Sequence, residues 1–445
     1  MIAMKTLPLV AIIGRPNVGK STLFNIISGQ NLSIVDDRSG VTRDRIIADA
    51  EWCGRGFGIV DTGGMDFEDE SVWNKYIRKQ ARLAIELADV VVMLCDGVSG
   101  VLPDDNALAA ELRKSKKPVI LAVNKLDNKT REQNATEFYE LGLGEPLPIS
   151  CNSRRGIAEL LDEVLKQIKP IDANELEEKT KIAIVGKPNA GKSSIVNRLL
   201  GEERVMVSDI SGTTRDSVDS VFAYDGKEYI LTDTAGIRRK ANIEDDSIER
   251  FSVIRALAAI RNSDVCVLVV DAEKGLSEQD VRLAGYIHEQ NKPSVIVINK
   301  WDTIEKDAYT MNKFKEDLAR DLAFMSYFKS IFISAKTGQR IGEIMKTVLE
   351  VLENTNRRIT TGVLNEIVLT AVSTVPPQYI RGKRAKFYYS SQVSSAPPTF
   401  ALFVNDETLV SHSYIRYIEN TIRKSADFSG TPIRIFIRNK NKGEE

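Results

Sequence analysis

Histidine is almost missing from this chain, with 2 residues in 445, and cysteine is scarce, with 4. Histidine-based catalysis and histidine-ligated metals are therefore poor fits. Cys53, Cys95, Cys151 and Cys266 are widely scattered and form no CxxC pair. That argues against a zinc site or a disulfide framework and suits a reducing cytosol. No apolar run approaches the roughly 18 residues of a membrane span; stretches such as Val90 to Cys95 fall far short. Met1 to Thr6 is too short for a signal peptide, and the apolar run after it leads straight into a phosphate-loop pattern. A cytoplasmic location is the expectation. Nor is there an excess of one charge, with 61 Lys+Arg against 62 Asp+Glu. With 42% hydrophobic and 28% charged residues the composition excludes disorder throughout.

The balance hides an asymmetry. Residues 356–445 carry 13 Lys+Arg and 7 Asp+Glu, a net +6, which leaves −7 for the rest. A basic terminal module on a mildly acidic body suggests that one end meets an anion, plausibly nucleic acid. A solvated surface is the plainer alternative.

A duplication runs along the chain. Gly14-Arg15-Pro16-Asn17-Val18-Gly19-Lys20-Ser21 recurs 172 residues later as Gly186-Lys187-Pro188-Asn189-Ala190-Gly191-Lys192-Ser193. At the same offset of 172, Ser39-Gly40-Val41-Thr42-Arg43-Asp44 recurs as Ser211-Gly212-Thr213-Thr214-Arg215-Asp216. Asp61-Thr62-Gly63-Gly64 likewise recurs as Asp233-Thr234-Ala235-Gly236. Asn124-Lys125-Leu126-Asp127 returns at 175 as Asn299-Lys300-Trp301-Asp302. A period this long means a repeated domain, not a solenoid. In each copy short Val/Ile/Leu runs alternate with helical stretches. Leu9–Ile13, Phe57–Val60, Val90–Cys95 and Val119–Val123 match Ile182–Val185, Tyr229–Leu231, Val265–Val270 and Val295–Ile298. This is the pattern of a mostly parallel α/β sheet with helices on both faces, and each motif follows a strand, where such sheets bind ligands. The expected organisation is 1–168 and 180–354 as nucleotide-binding domains, with 169–179 as an acidic linker. An α+β module at 355–440 and a tail at 441–445 complete it. Within the module a helix is expected at Leu364–Val372, strands at Lys386–Val393 and Phe400–Val404, a helix at His412–Lys424 and a strand at Pro432–Ile437.

The motifs specify a chemistry. GxxxxGKS curls backbone N–H groups around a β-phosphate at a helix N-terminus. Lys20 and Lys192 neutralise β/γ-phosphate charge, and Ser21 and Ser193 offer a hydroxyl to Mg²⁺. Asp61 and Asp233 end apolar strands and hold Mg²⁺ through water, while Gly64 and Gly236 free an N–H for the γ-phosphate. Thr42 and Thr214 reach Mg²⁺ only when γ-phosphate is present, which makes their segments order–disorder switches. The aspartate of Asn-Lys-x-Asp accepts from guanine N1–H and N2–H₂ together, a pair adenine lacks. Ser334-Ala335-Lys336 brings a backbone N–H towards guanine O6; the first copy has Ser150-Cys151-Asn152 there. The substrate is thus GTP and the product GDP.

With these residues in place the chain resembles the Der (EngA) family, bacterial proteins with two Era-like GTPase domains and a C-terminal KH-like domain. The tandem Ser-Gly-x-Thr-Arg-Asp and the C-terminal Pro397-Pro398-Thr399-Phe400 with Phe403-Val404-Asn405 carry the resemblance. It implies a factor for assembly of the large (50S) ribosomal subunit, associating with ribosomal particles according to its nucleotide, and a monomer away from membranes. The glutamine that orients water in Ras-like enzymes is replaced by Met65 and Ile237. The resemblance suggests potassium-assisted hydrolysis instead, with Asn17 and Asn189 beside the ion. The expected catalytic set is then Asn17, Thr42 and Gly64 with Asn189, Thr214 and Gly236. A KH domain clamps RNA with Gly-x-x-Gly, whereas Gly382-Lys383-Arg384-Ala385 lacks the second glycine. Arg381, Lys383, Arg384 and Lys386 remain candidates for phosphate contacts. Tyr388 and Tyr389 could stack on bases, though alternation predicts one of them inside the core. Two rivals stand beside this reading. One is a GTP-dependent scaffold with one domain that scarcely turns over. The other is a GTPase of tRNA modification or the membrane surface, disfavoured by the lack of a C-terminal catalytic cysteine motif and of an amphipathic anchor.

Overall fold

The structure, a computed structural model, describes residues 7–29, 47–61, 85, 87–168, 179–201, 205–207, 219–232, 248–307 and 309–440. The chain divides into two compact units, one with the first sheet and one with the second and third sheets.

In the first unit β1 (Leu9–Ile13), β2 (Ile47–Trp52), β3 (Arg55–Asp61), β4 (Val90–Asp96), β5 (Val119–Asn124) and β6 (Leu147–Pro148) lie in the order β2-β3-β1-β4-β5-β6. All pairs are parallel except β2–β3. That hairpin turns through Cys53 and Gly54, both left-handed at φ 47 and 75, the conformation a two-residue turn between twisted strands requires. All five residues of β1 are buried because both its faces are covered. Val10 and Ile12 join a core with Leu23 and Phe24 of α1 (Lys20–Gly29), whereas Ala11 and Ile13 join one with Leu108 and Leu112 of α2 (Pro103–Ser115). Pro103 and an acidic first turn start α2, and a left-handed Lys116 ends it. Leu160, Leu161 and Val164 of α3 (Ile157–Gln167) complete the first of these cores.

The second sheet repeats the plan. It holds β7 (Thr180–Val185), β8 (Val205–Val207), β9 (Ser220–Tyr224), β10 (Lys227–Thr232), β11 (Val265–Asp271), β12 (Ser294–Asn299) and β13 (Lys329–Phe332). Their order is β13-β12-β11-β7-β10-β9-β8, with β8 an extra antiparallel edge. Asp225 and Gly226, at φ 52 and 74, repeat the hairpin turn. Its helices are α4 (Lys192–Leu200), α5 (Ile248–Arg261), α6 (Glu278–Glu289), α7 (Thr310–Asp321) and α8 (Glu343–Asn356).

The third module comprises α9 (Thr361–Thr374), a small hairpin of β14 (Tyr379–Ile380) and β15 (Lys383–Arg384), then β16 (Phe387–Ser395), β17 (Pro398–Val404), α10 (His412–Ser425) and β18 (Arg434–Asn439). β16 pairs antiparallel and β18 parallel with β17. Phe400 and Leu402 of β17 pack with Leu364, Val368, Ile418, Ile422 and Phe428.

Two local expectations are corrected. The last strand begins at Arg434, not Pro432, because the segment before it is docked elsewhere. Gly430 donates to the Tyr327 carbonyl at 2.6 Å and accepts from the Ser294 N–H at 2.7 Å. The hydroxyls of Thr431 and Thr355 lie 2.8 Å apart. Tyr388 and Tyr389 are both exposed, against the expected alternation, because the β16–β17 register shifts between Phe387 and Tyr389. Tyr389 stacks flat on Phe403 at 4.1 Å, and Lys440 lies 5.2 Å over the Tyr388 ring. The Gly-x-x-Gly comparison falls on the β14–β15 hairpin, where Arg381 and Gly382 form the turn at φ 52 and 73.

Gly430 has φ 77, and a Cβ there would come within 2.3 Å of Val351 Cγ2 on α8. Gly430→Ala should cost about 1–3 kcal/mol, read as an earlier denaturant midpoint for this unit. Gly362→Ala, on α9 with open space around it, should leave the midpoint unchanged or raise it; equal losses would refute this account of the docking.

Candidate nucleotide-binding sites

Both candidate sites lie at the carboxyl ends of the parallel strands. After β1 the chain turns through Gly14 to Gly19 and enters α1 at Lys20; after β7 it turns through Gly186 to Gly191 and enters α4 at Lys192. Asn17 and Asn189 are exposed and left-handed at φ 61 and 63. Lys20 Nζ donates to the Arg15 carbonyl at 2.6 Å. Lys192 Nζ donates to the carbonyls of Gly186 and Lys187 at 2.7 and 2.6 Å. Each ammonium is thus held at the loop by weak neutral acceptors that an anion can replace. Ser21 is exposed and Ser193 half-buried at the first turns of these helices.

An asparagine ties each loop to the rest of its site. Asn124 Nδ2 donates to the Val18 carbonyl at 2.8 Å, and its Oδ1 accepts the Cys151 N–H at 2.9 Å. Asn299 does the same with Ala190 at 2.8 Å and Ala335 at 2.9 Å. These side chains pass directly beneath Gly19 and Gly191. A Cβ would come within 2.4 Å of Asn124 Nδ2 and 2.1 Å of Asn299 Nδ2, and the φ values are 103 and 94. Only glycine fits there. Within Ser334-Ala335-Lys336, the stretch expected to bring a backbone N–H towards guanine O6, the N–H of Ala335 is engaged by Asn299. The Cys151 N–H makes the same bond in the first copy. The Ser-Cys-Asn departure therefore leaves this geometry unchanged, because the bond is made by backbone.

The aspartates that close the motif sit beside serines. Ser150 Oγ donates to Asp127 Oδ1 at 2.6 Å, and Arg131 lies 3.6 Å from Oδ2. The Ser334 hydroxyl hydrogen-bonds to Asp302 and holds its carboxyl below the usual carboxylate range. Asp302 is therefore ionised at neutral pH, yet among the described residues its Oδ1 is buried without a hydrogen-bond partner. A buried acceptor left open is costly unless a ligand donor fills it.

Four carboxylates outside the motifs, Asp96, Asp105, Asp271 and Asp280, pair with cations of the two sites. Lys125 Nζ lies 2.7 Å from Asp96 Oδ2, and Lys300 Nζ 2.7 Å from Asp271 Oδ2. Burial pushes both carboxyls up, but the lysine bonds and the Val98 and Glu273 N–H groups outweigh it and lower them. Arg15 Nε donates to both oxygens of Asp105 at 2.9 Å, while Lys187 Nζ stands 3.6 Å from Asp280. The signal was available: each pair, 96 with 271 and 105 with 280, repeats at the offset of 175 seen for Asn-Lys-x-Asp.

Thr42, Thr62, Gly63, Gly64, Thr214, Asp233, Thr234, Ala235 and Gly236 lie outside the described residues, as do Met65 and Ile237. Asp61 is the last residue of β3, its backbone in register with Ile12 of β1. Arg381, Lys383, Arg384 and Lys386 are all exposed, and Arg384 lies 4.5 Å over the Tyr379 ring. All four cysteines are free thiols, three of them buried. Burial pushes Cys151 and Cys266 each up to about 11, so neither is a thiolate nucleophile at neutral pH. Among the described residues no His/Cys/Asp/Glu cluster could hold a metal, and no helix is long and apolar enough to cross a membrane.

Known proteins resemble this chain along nearly its whole length. A family model described as "50S ribosome-binding GTPase" matches residues 9–125 and again 181–300. A second, "KH-domain-like of EngA bacterial GTPase enzymes, C-terminal", matches 358–438. An "Elongation factor Tu GTP binding domain" model also matches 250–354. Curated relatives named GTPase Der are 50% identical, among them one from Alkaliphilus oremlandii over 97% of this chain and 98% of its own. Others, from Clostridium botulinum and Clostridium tetani, align over 98% of this chain and 99% of theirs.

Proposed function

The chain belongs to the Der (EngA) family of tandem GTPases, and from that premise we propose that it hydrolyses GTP in both copies and serves maturation of the large (50S) ribosomal subunit. Association with ribosomal particles would depend on the bound nucleotide. The observation that carries the nucleotide assignment is the duplicated asparagine tie, which holds a phosphate loop and a base loop in one site twice over. The large-subunit assignment is supported by the description of the family model.

In this reading the N–H groups of Gly14–Ser21 and Gly186–Ser193 wrap the β-phosphate. Lys20 and Lys192 exchange loop carbonyls for β- and γ-oxygens. Asp127 and Asp302 accept from guanine, Asn124 and Asn299 brace the loops beneath, and Lys125 and Lys300 pack under the purine. Ser21, Thr42 and Asp61 would hold Mg²⁺ in one copy; Ser193, Thr214 and Asp233 would hold it in the other. The ion supplies charge neutralisation on the phosphates. Gly64 and Gly236, with Thr62, Gly63, Thr234 and Ala235 of the same motifs, would offer N–H groups to the γ-phosphate. Asn17 and Asn189, exposed beside the loops, would offer amide oxygens to K⁺, whose charge substitutes for an arginine finger. A cytoplasmic monomer built of 1–168, 180–354 and 355–440 completes the proposal.

Base recognition is tested at Asp302. Asp302→Asn turns an acceptor into a donor and should weaken GTP binding at the second copy by about 1–3 kcal/mol. It should strengthen xanthosine nucleotide binding, since xanthine presents a carbonyl where guanine has its amino group. Isothermal titration with both nucleotides decides; unaltered GTP affinity would sink the base assignment.

Cation dependence follows from Asn17 and Asn189 in chains without a catalytic glutamine. Replacing Na⁺ by K⁺ at constant ionic strength should raise the steady-state GTPase rate. Equal rates in both salts would remove potassium from the mechanism.

Ribosome association is tested on sucrose gradients with GDP or a GTP analogue across a salt series. Binding through phosphates should fall with salt at a log–log slope of about 0.7–0.9 per neutralised phosphate. The double variant Lys383→Glu/Arg384→Glu should flatten that slope without changing GTP hydrolysis. Parent-like sedimentation of the variant at every salt would mean that the exposed basic hairpin touches no RNA.

A further inference from the structure

The second residue of each phosphate loop is a cation with a fully buried acidic partner on a neighbouring helix. Arg15 reaches Asp105 on α2, and Lys187 reaches Asp280 on α6. Each aspartate is also the third residue of its helix and receives the N–H of the capping residue, Leu102 at 3.1 Å and Ser277 at 3.1 Å. Through one carboxylate the helix start and the phosphate loop are fixed to each other. Arg15 and Lys187 also present the carbonyls that hold Lys20 and Lys192, so the pair sets the loop where it meets the anion.

The two copies are not equal. In the first, Arg15 Nε lies 2.9 Å from both oxygens of Asp105, and Arg15 Nη2 donates to Ser99 Oγ at 3.0 Å. In the second, Ser277 Oγ takes Asp280 Oδ2 at 2.6 Å. Lys187 stands back at 3.6 Å and turns to the Gly275 carbonyl at 3.4 Å. Asp280 Oδ1 is buried with no hydrogen-bond partner among the described residues. Leucine at 102 offers no hydroxyl, which leaves the carboxylate to the arginine; serine at 277 supplies one and draws the carboxylate away. The planar guanidinium of Arg15 is fixed at two edges, by Nε on Asp105 and by Nη2 on Ser99, whereas an ammonium meets a carboxylate as a point charge.

We propose that Asp105 and Asp280 are positioning residues for the two phosphate loops, and that the Arg15/Lys187 difference makes the second site release guanine nucleotide faster than the first. The inference rests on the guanine-nucleotide reading of both loops. Release requires the loop to open around the β-phosphate, and differences between related sites appear mainly in the dissociation rate. A braced loop opens less often.

The test uses the full chain and a fluorescent GDP. Asp302→Asn weakens the second site and Asp127→Asn the first, so that at limiting fluorescent GDP each background loads the intact site. In the first background Arg15→Lys should speed release by about three- to tenfold. In the second, Lys187→Arg combined with Ser277→Leu, which recreates the pairing of the first copy, should slow release by a similar factor. Thermal unfolding of the nucleotide-free chain is measured alongside. A pair that merely stabilises the fold would move the melting curve and leave both release rates alone, which overturns the inference. Release rates shifted in the same direction by the two exchanges would overturn it as well. Failure of either background to bind one equivalent of the fluorescent GDP would overturn the nucleotide reading and the inference with it.

Discussion

The bond that the rest of each site depends on is made by an asparagine amide at the end of a strand. Asn124 and Asn299 terminate β5 and β12, are almost wholly buried, and use both ends of the amide. One end satisfies a carbonyl of the phosphate loop, the other an N–H of the loop after the next strand. Two segments that would otherwise be independent turns become one rigid cradle. The bond also dictates sequence at a distance. Because the amide runs under Gly19 and Gly191, no Cβ is tolerated there. Because its partners are main-chain groups, Val18 and Ala190, or Cys151 and Ala335, can differ between copies without altering the bond.

Around this amide the charges are arranged in opposed pairs. Lys125 and Lys300 follow the asparagines directly, and each is turned aside to a carboxylate at the end of the adjacent strand. Each ammonium is thereby paired with a carboxylate at 2.7 Å. Arg15 and Lys187 are neutralised from the opposite side by the helix-start aspartates. At the loops themselves Lys20 and Lys192 donate to backbone carbonyls.

How much of this was legible beforehand depends on where each signal lives. The duplicated motifs sit on chain segments, so their spacing exposed the repeat and the strands that carry them, and pointed to guanine at Asp127 and Asp302. The bracing carboxylates were less visible because their importance arises from tertiary contact. Asp96 and Asp105 read as an ordinary strand-end turn and an ordinary acidic helix start, and only their repetition at 271 and 280 marks them. The pair Tyr388 and Tyr389 departs from the expected alternation for a similar reason. Period-two alternation holds only while the register is unbroken, and the shift after Phe387 is set by pairing with β17, not by the local sequence. The start of β18 slipped because Gly430 and Thr431 are captured by the neighbouring domain before the strand can begin.

That capture gives the third module its relation to the second site. β12 is six residues long, buried throughout, and so spans about 17–20 Å. Its first residue, Ser294, donates to Gly430 of the module; its last, Asn299, grips the phosphate loop. The same module is pinned to α8 by Thr431 on Thr355 and by the Ser429 carbonyl on Asn354. A central strand in a parallel sheet is among the stiffest elements a domain offers, since both edges are hydrogen-bonded and both faces packed. Displacement of the asparagine end relative to β11 and β13 would break ladder bonds on both sides. The module therefore cannot follow small adjustments of the loop by bending β12. A nucleotide-dependent response would have to move strand, α8 and module together, or act through segments that lie off this strand, such as those carrying Thr214 and Asp233. Of these, the second is the less costly, because it leaves the ladder and the Gly430 contacts intact.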